Sequence, residues 1–317
     1  MKTTKKLICI GSILLIAACK KHEETPIVPS GSSHSENYSS IQDFFSRNNV
    51  PMQTYTLNGT VGGSFTTLQG TIVTVPANAF VTQSNIPVTG TVTIQFKDVY
   101  KKSDMLLSRM TTTTIWGTPL KSGGEFFIKA LANNSPVLMA PGKKIAVAQP
   151  VALTGGLDTA QLPFVAQPDS SANLSWGTTS TDSVNCISGY YIFSLYAFNM
   201  PADSGSWCNS DNPTFFSNYP QTILTLHPTD NSGNYNTDVF LVFNTISSMV
   251  HVYTNGSDFP YYYAPQGLQC TLVAVGVNNG VLYSSFVPFT IGSNQTVNFT
   301  LSATTTSAFL SQMGALN

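Results

Sequence analysis

Apolar and polar positions alternate with a two-residue period along most of this chain, the spacing that turns one side of an extended strand to a core and the other to water. Thr71-Ile72-Val73-Thr74-Val75, Thr91-Val92-Thr93-Ile94-Gln95-Phe96, Phe126-Phe127-Ile128-Lys129 and Ile145-Ala146-Val147-Ala148 predict strands in the first half. Residues 190–198, 223–226, 239–243, 250–253, 268–275, 283–291 and 296–301 predict more in the second. Val277-Asn278-Asn279-Gly280-Val281 is the clearest hairpin, because Asn-Gly supplies the positive φ angles of a type I′ turn. Helical periodicity is scarce. It predicts a short helix over residues 41–47 and another at the C-terminus, where Phe309, Leu310, Met313 and Leu316 form an apolar stripe after a Thr/Ser capping run at 304–307. The expected fold class is all-β: two tandem β-sandwich domains with a short C-terminal helix.

Composition agrees with that pattern. Only 9% of the 317 residues are charged, while Ser, Thr, Asn, Gly and aromatics abound, as on secreted β-proteins whose outward strand faces carry hydroxyls and amides. The first residues depart from it. Lys2, Lys5 and Lys6 precede an apolar stretch at 7–16 that is too short to span a bilayer as a stable helix, and small residues lead into Cys19. Ile16-Ala17-Ala18-Cys19 resembles the lipobox of bacterial lipoproteins. That resemblance implies cleavage of a signal peptide, 1–18, between Ala18 and Cys19, and acylation of Cys19 by palmitate-type chains. Lys20, in place of Asp, implies sorting to the outer membrane, and Lys21-His22-Glu23-Glu24 resembles the surface-export signal of Bacteroidetes lipoproteins. The competing readings are an ordinary secretory signal with an incidental cysteine, an uncleaved anchor, or a merely solvated charged tether. Residues 19–40 are polar and Pro/Gly/Ser-rich, so they are expected to form a flexible tether with a reach of roughly 25 Å.

About 280 residues remain, enough for two domains with real cores. A Gly-Gly pair, two prolines and a Ser/Thr/Asn cluster mark 153–185 as the expected interdomain segment, partly packed through Leu162, Phe164 and Trp176. The expected domains are then 41–152 and 186–317, the second carrying the C-terminal helix. Within the first, Gly70-Thr71-Ile72, Val75-Pro76-Ala77-Asn78-Ala79-Phe80, Val88-Thr89-Gly90-Thr91-Val92, Leu120-Lys121-Ser122-Gly123-Gly124-Glu125-Phe126 and Ala140-Pro141-Gly142-Lys143 resemble a ZU5-type β-sandwich. The resemblance covers residues 68–150 and implies a protein-interaction module. His-Phe-Ser, where some paired ZU5 domains cut themselves, does not occur. Trp207-Cys208-Asn209 and Ala264-Pro265-Gln266-Gly267 resemble a companion β-sandwich of unknown activity in related Bacteroidetes lipoproteins.

The net charge of −1 hides a division. Residues 41–144 carry nine Lys/Arg against four Asp/Glu; residues 145–317 carry eight Asp and no Lys or Arg. A basic half could rest on anionic lipid phosphates, the halves could attract each other, or the difference could reflect only a low-lysine surface. Nucleic acid is not an expected partner, since no recognition module accompanies the basic residues.

Candidate chemistry is sparse. His227 and His251 are the histidines of the folded part, and no zincin motif, Gly-x-Ser-x-Gly elbow, phosphate loop or Cys-x-x-Cys occurs, so no catalytic residue is assigned and no cofactor is implied. The oxygen-rich run beginning at Asp230 and ending at Asp238 is a weak calcium candidate; its glycine and its final residue depart from the calcium-loop pattern, and a plain turn is the alternative. Trp207, with Tyr261, Tyr262 and Tyr263, and Phe215 and Phe216 nearby, are candidates for an aromatic platform for glycan or peptide, with core packing as the alternative. Cys9 leaves with the signal and Cys19 is acylated, so Cys186, Cys208 and Cys270 allow one disulfide. Cys270 alternates with Leu268 and Leu272 and is expected as a free core thiol. Cys186–Cys208 is therefore the expected bridge, with two buried free thiols as the alternative. Asp158-Thr159-Ala160 and Asp182-Ser183-Val184 resemble the Bacteroidetes O-glycosylation motif, with Thr159 and Ser183 as acceptors.

The expected function is a binding or structural module, lipid-anchored at the outer membrane or cell surface through Cys19, with an unidentified protein or glycan partner. The alternative is a secreted-type hydrolase acting on glycans or peptides. Cys19→Ala should abolish lipid labelling and shift the protein to the aqueous phase in detergent partitioning; unchanged partitioning would refute the anchor.

Overall fold

A computed structural model describes residues 36–168, 174–198, 205–230 and 236–317. The signal peptide, Cys19 and most of the expected tether lie outside the described residues. The alternating segments do form strands, and the protein is all-β, with strands over 52% of the described residues and three short helices among them. None of the helices among the described residues is long and apolar enough to cross a membrane.

The first sandwich pairs two antiparallel sheets. One runs in the order Gln53–Asn58, Thr91–Val99, Lys121–Ala132, Ser206–Asn212, Leu162–Pro168, Leu174–Thr178, with Ser135–Pro136 paired to Lys121–Ala132. The other runs Ser183–Ile187, Tyr190–Leu195, Ile145–Pro150, Ile72–Val75, Gly63–Thr66. Their inward residues, among them Ile94, Phe96, Phe126 and Ile128 from one sheet and Val73, Val147, Phe193 and Leu195 from the other, make one core. The second sandwich packs a three-stranded sheet (Phe259–Pro265, Gln221–Pro228, Gln295–Phe299) on a five-stranded one (Met249–Val252, Asn236–Phe243, Gln269–Asn278, Val281–Thr290, Ser302–Ala303). The expected hairpin turn forms there, with Asn279 at φ 49° and Gly280 at φ 83°.

The expected domain boundary does not match this pairing. Strands inside 153–185 complete the first sandwich, and so do Ser183–Ile187 and the first two strands after it: Ser206–Asn212 is hydrogen-bonded between Lys121–Ala132 and Leu162–Pro168, and Tyr190–Leu195 pairs with Ile145–Pro150. The first unit therefore runs to Asn212. Of the composition that suggested a linker, the Gly155-Gly156 pair lies in a turn region, both prolines lie within strand Leu162–Pro168, and residues 169–173 lie outside the described residues.

The Cys186–Cys208 bridge is absent as well, and all three described cysteines are free. The two residues lie on opposite sheets of the first sandwich. The Cys186 thiol donates to the Asp158 carbonyl at 3.8 Å, and Cys208 is enclosed in the core. Burial pushes both thiols above their ordinary range. Cys270 is a free core thiol of the second sandwich, as expected.

The five-stranded sheet of the second sandwich has two apolar faces. In Val239-Phe240-Leu241-Val242-Phe243 the odd-numbered residues enter the sandwich core, while Phe240 and Val242 point the other way; Leu272 and Ala274 alternate with Val273 and Val275 in the same manner. Three helices cover the outer face. Helix α1 (Ile41–Asn48) is capped by Ser40, whose hydroxyl accepts from the Asp43 amide at 3.1 Å. Helix α2 (Lys102–Ser108), which periodicity missed because it is only seven residues long, leaves the first sandwich after Val99. Helix α3 (Thr306–Gly314) is capped by Thr305. Phe44 and Phe45, Met105 and Leu106, and Phe309 and Met313 lie in one cluster with the sheet's outer residues.

Charge follows the same seam. The Lys102 ammonium donates to the carbonyls of Phe243 and Asn244 at 2.9 and 3.0 Å, and burial pulls its pKa down to about 8. Arg109 lies 3.4 Å from Asp238. Attraction between the basic and acidic halves thus operates at this contact.

Phe44 is fully buried and makes edge-to-face contacts with Tyr38 and Phe309 at 5.3 and 5.5 Å. Phe44→Ala should cost about 3–5 kcal/mol, and urea unfolding of the full chain should remain one transition. Two separate transitions, with only the second sandwich affected, would refute the coupling through the helical layer.

Candidate functional site

Where the two sandwiches meet on the side of the tyrosine-rich strand, the surface opens into a cleft of about 350 Å³. Its walls come from the 113–117 loop and Ser175 of the first sandwich, and from 250–255 and 260–263 of the second. The loop is built to hold its tip outward. The Thr114 and Thr118 hydroxyls bond at 2.7 Å, and Gly117 adopts φ 85° while donating its amide to the Thr114 carbonyl at 2.9 Å. Strand Leu174–Thr178 grips the loop from one side, through Ile115 N to Trp176 O and Trp176 N to Thr113 O. The Tyr261 hydroxyl grips it from the other, donating to the Gly117 carbonyl at 3.2 Å. A Cβ on Gly117 would stand 3.2 Å from the Tyr263 ring, so glycine also permits the close approach. Held at the tip, Trp116 is 75% exposed.

The opposite wall owes its shape to an irregular strand. Thr222 pairs with Ala264 and Leu224 with Tyr261, so Tyr262 and Tyr263 together oppose the single residue Ile223. This bulge breaks the alternation: Tyr261 is buried, and both following tyrosines face outward, Tyr262 56% and Tyr263 40% exposed. Tyr253 adds a fourth exposed ring. Beneath it, the His251 ring is stacked on Phe240 and tilted against Tyr253, with centroids at 4.8 and 4.3 Å, and its Nε2 lies 3.2 Å from Asp238 Oδ1. Burial would raise the Asp238 carboxyl; the bond to His251 and the charges of His251 and Arg109 outweigh it and hold the group below the usual carboxylate range.

Of the expected platform, the structure brings Tyr261, Tyr262 and Tyr263 to the cleft, with Tyr261 supporting it from the core. Trp207 is elsewhere. It is half-buried in the seam, edge-on to Phe127 at 5.5 Å, and packs against the helical layer. Phe215 and Phe216 belong to the second sandwich's interior and its edge. Trp116 takes the tryptophan position in the cleft, and its signal in the sequence was a large aromatic beside Gly117 in a threonine-rich turn.

The calcium candidate does not assemble on its two ends. Asp238 is a strand residue engaged by His251 and Arg109, and Asp230 accepts the Leu301 amide at 3.1 Å; residues 231–235 between them lie outside the described residues. Thr159 is exposed in a turn, and Ser183 opens an edge strand. The aspartates before them are structural: Asp158 pairs with Lys121 at 2.9 Å, and Asp182 accepts the Tyr196 amide at 2.8 Å. The two histidines of the folded part each bond a carboxylate, His227 to Asp258 at 2.7 Å and His251 to Asp238.

Comparison with protein-family models, with curated proteins and with solved structures finds no match.

Three tryptophans make the cleft's geometry measurable. Trp176 is fully buried and Trp207 half-buried, so collisional quenching by iodide should act mainly on Trp116. Trp116→Phe should remove most of the quenchable fluorescence; a variant still quenched as strongly would show that the loop does not hold the ring outward.

Proposed function

We propose that this protein is a binding module, lipid-anchored through Cys19 at the outer membrane or cell surface, whose aromatic cleft takes an uncharged glycan chain. The observation that carries the reading is Trp116, braced outward across from Tyr253, Tyr262 and Tyr263. Leaving four large rings in water forgoes burial worth about 1.5–3 kcal/mol for a large apolar side chain, and exposed patches of this kind mark interaction sites. The cleft's volume lies in the usual range for ligand sites, about 300–1,000 Å³. Its lining includes no Lys, Arg, Asp or Glu; Thr113, Thr114, Ser175 and Asn255 supply hydroxyl and amide groups around the rings. Apolar faces bordered by neutral hydrogen-bonding groups complement a sugar, whose ring is apolar on its C–H faces and rimmed by hydroxyls. The ZU5-like resemblance of residues 68–150 and the lipobox resemblance at Cys19 support an interaction role presented from a membrane. No observation favours the hydrolase alternative: the cleft wall carries no carboxylate, and the imidazole in it is committed to Asp238.

Calorimetric titration of the protein with neutral oligosaccharides should show saturable binding, and Trp116→Ala should weaken it about 30-fold or more, as for an interface hot spot. Selective binding of proline-rich or other peptides would replace the ligand class, and release of shorter sugars or peptides would promote the hydrolase.

A further inference from the structure

The most anomalous chemistry in the molecule lies away from the cleft. Lys121–Ala132 and Ser206–Asn212 are neighbouring strands, paired Glu125 to Asn209 and Ser122 to Asp211, with Gly123 and Gly124 together opposite Ser210 as a bulge. Phe126 and Cys208 point into the first sandwich, so Glu125 and Asn209 occupy the other face. Asp211, two residues after Asn209, shares that face, and the bulge brings Ser122 to it too: the Ser122 hydroxyl donates to Asn209 Oδ1 at 3.1 Å, and the Asn209 amide donates to Asp211 Oδ2 at 2.7 Å. Ser122 donates its own amide to the Ser247 carbonyl of the second sandwich at 2.8 Å. The group therefore borders the junction between the sandwiches.

Glu125 and Asp211 are both fully buried. Glu125 Oε1, Glu125 Oε2 and Asp211 Oδ1 have no hydrogen-bond partner. Nearby cations are engaged elsewhere: Lys121 with Asp158, Lys102 with two carbonyls and Arg109 with Asp238. An ionised carboxylate buried without a partner costs several kcal/mol even after relaxation, and here two share one region of low dielectric. Burial pushes both carboxyls well above their ordinary range, and the Asp211 charge pushes Glu125 further. Protonation would remove the charge but not the anomaly, because a neutral Glu125 carboxyl would still be a buried polar group with none of its hydrogen bonds made. A cation would answer both the charge and the bare lone pairs. The donor set is oxygen only, with carboxylates predominating, which suits a hard divalent ion.

We propose that Glu125 and Asp211 together hold a divalent cation of the calcium type at the junction of the two sandwiches. The ion joins adjacent strands beside the point where the second sandwich docks, so its effect is on the stability of the whole chain.

The test is thermal unfolding of the full-length chain in EDTA, in calcium and in magnesium, with calorimetric titration of calcium. Saturating calcium should raise Tm by about 5 °C or more over EDTA, with about one equivalent bound. Glu125→Gln and Asp211→Asn should each abolish the shift, while Asp230→Asn should retain it. Should either site variant fail to fold, the stoichiometry for the natural sequence and the Asp230→Asn control still decide. A calcium response lost in Asp230→Asn would move the ion to the 230–238 segment and overturn the proposal. Equal Tm in EDTA, calcium and magnesium, with no calcium bound, would make the pair a neutral buried couple and also overturn it.

Discussion

A sheet that is apolar on both faces must be covered on both, and the five-stranded sheet of the second sandwich imposes that demand on the entire chain. One face is closed by the three-stranded sheet. The other is closed by helices drawn from before the first sandwich, from within it and from the C-terminus. The cover cannot form until these distant segments have met, so the two sandwiches are not beads on a string. The same packing fixes where the chain enters the body. Tyr38 bonds the Gly280 carbonyl through its amide at 3.1 Å and α1 lies on the second sandwich, so residues preceding Tyr38 join the molecule beside the 279–280 turn. Order along the sequence would have put the first sandwich nearest any tether; packing puts the helical layer there.

The cleft is a by-product of that docking. Neither wall is complete alone: the loop bearing Trp116 belongs to the first sandwich, the tyrosines to the second, and Tyr261 ties them through the Gly117 carbonyl. Thr112 reinforces the seam a few residues earlier, with its amide donating to the Met249 carbonyl at 2.9 Å and its hydroxyl bonded to that of Ser248 at 2.8 Å. For the binding role proposed above, rings already held in place across the seam would lose little freedom when a ligand arrives. His251 links the two roles, contacting Tyr253 in the cleft while its ring nitrogen joins the ion cluster of Asp238 and Arg109.

Much of the fold was legible in the chain. Period-two alternation marked many of the strands, Asn279-Gly280 determined a hairpin, and the Thr/Ser run at 304–307 marked a helix start, because these features depend on a few consecutive residues and on local backbone energetics. Cys270 could be assigned to a core from its apolar neighbours. What the sequence could not determine was which strand pairs with which. Ser206–Asn212 reads equally well as the opening strand of a second domain or as a late strand of the first, and only its hydrogen bonds to Lys121–Ala132 and Leu162–Pro168 decide. The same lack of long-range information misplaced the Cys186–Cys208 bridge, exchanged Trp207 for Trp116 and concealed the outward turn of Tyr263, which follows from a bulge opposite Ile223. One clue to the layered packing was present: Val239 to Phe243 is apolar at every position, the mark of a strand buried on both sides. The sequence by itself thus determined many of the elements and their apolar faces, because those are local, but not α2 or strands such as Leu162–Pro168 and Ser206–Asn212. Tertiary structure alone decided the partners, the seam and the sites built across it, because these depend on contacts between residues tens to more than a hundred positions apart.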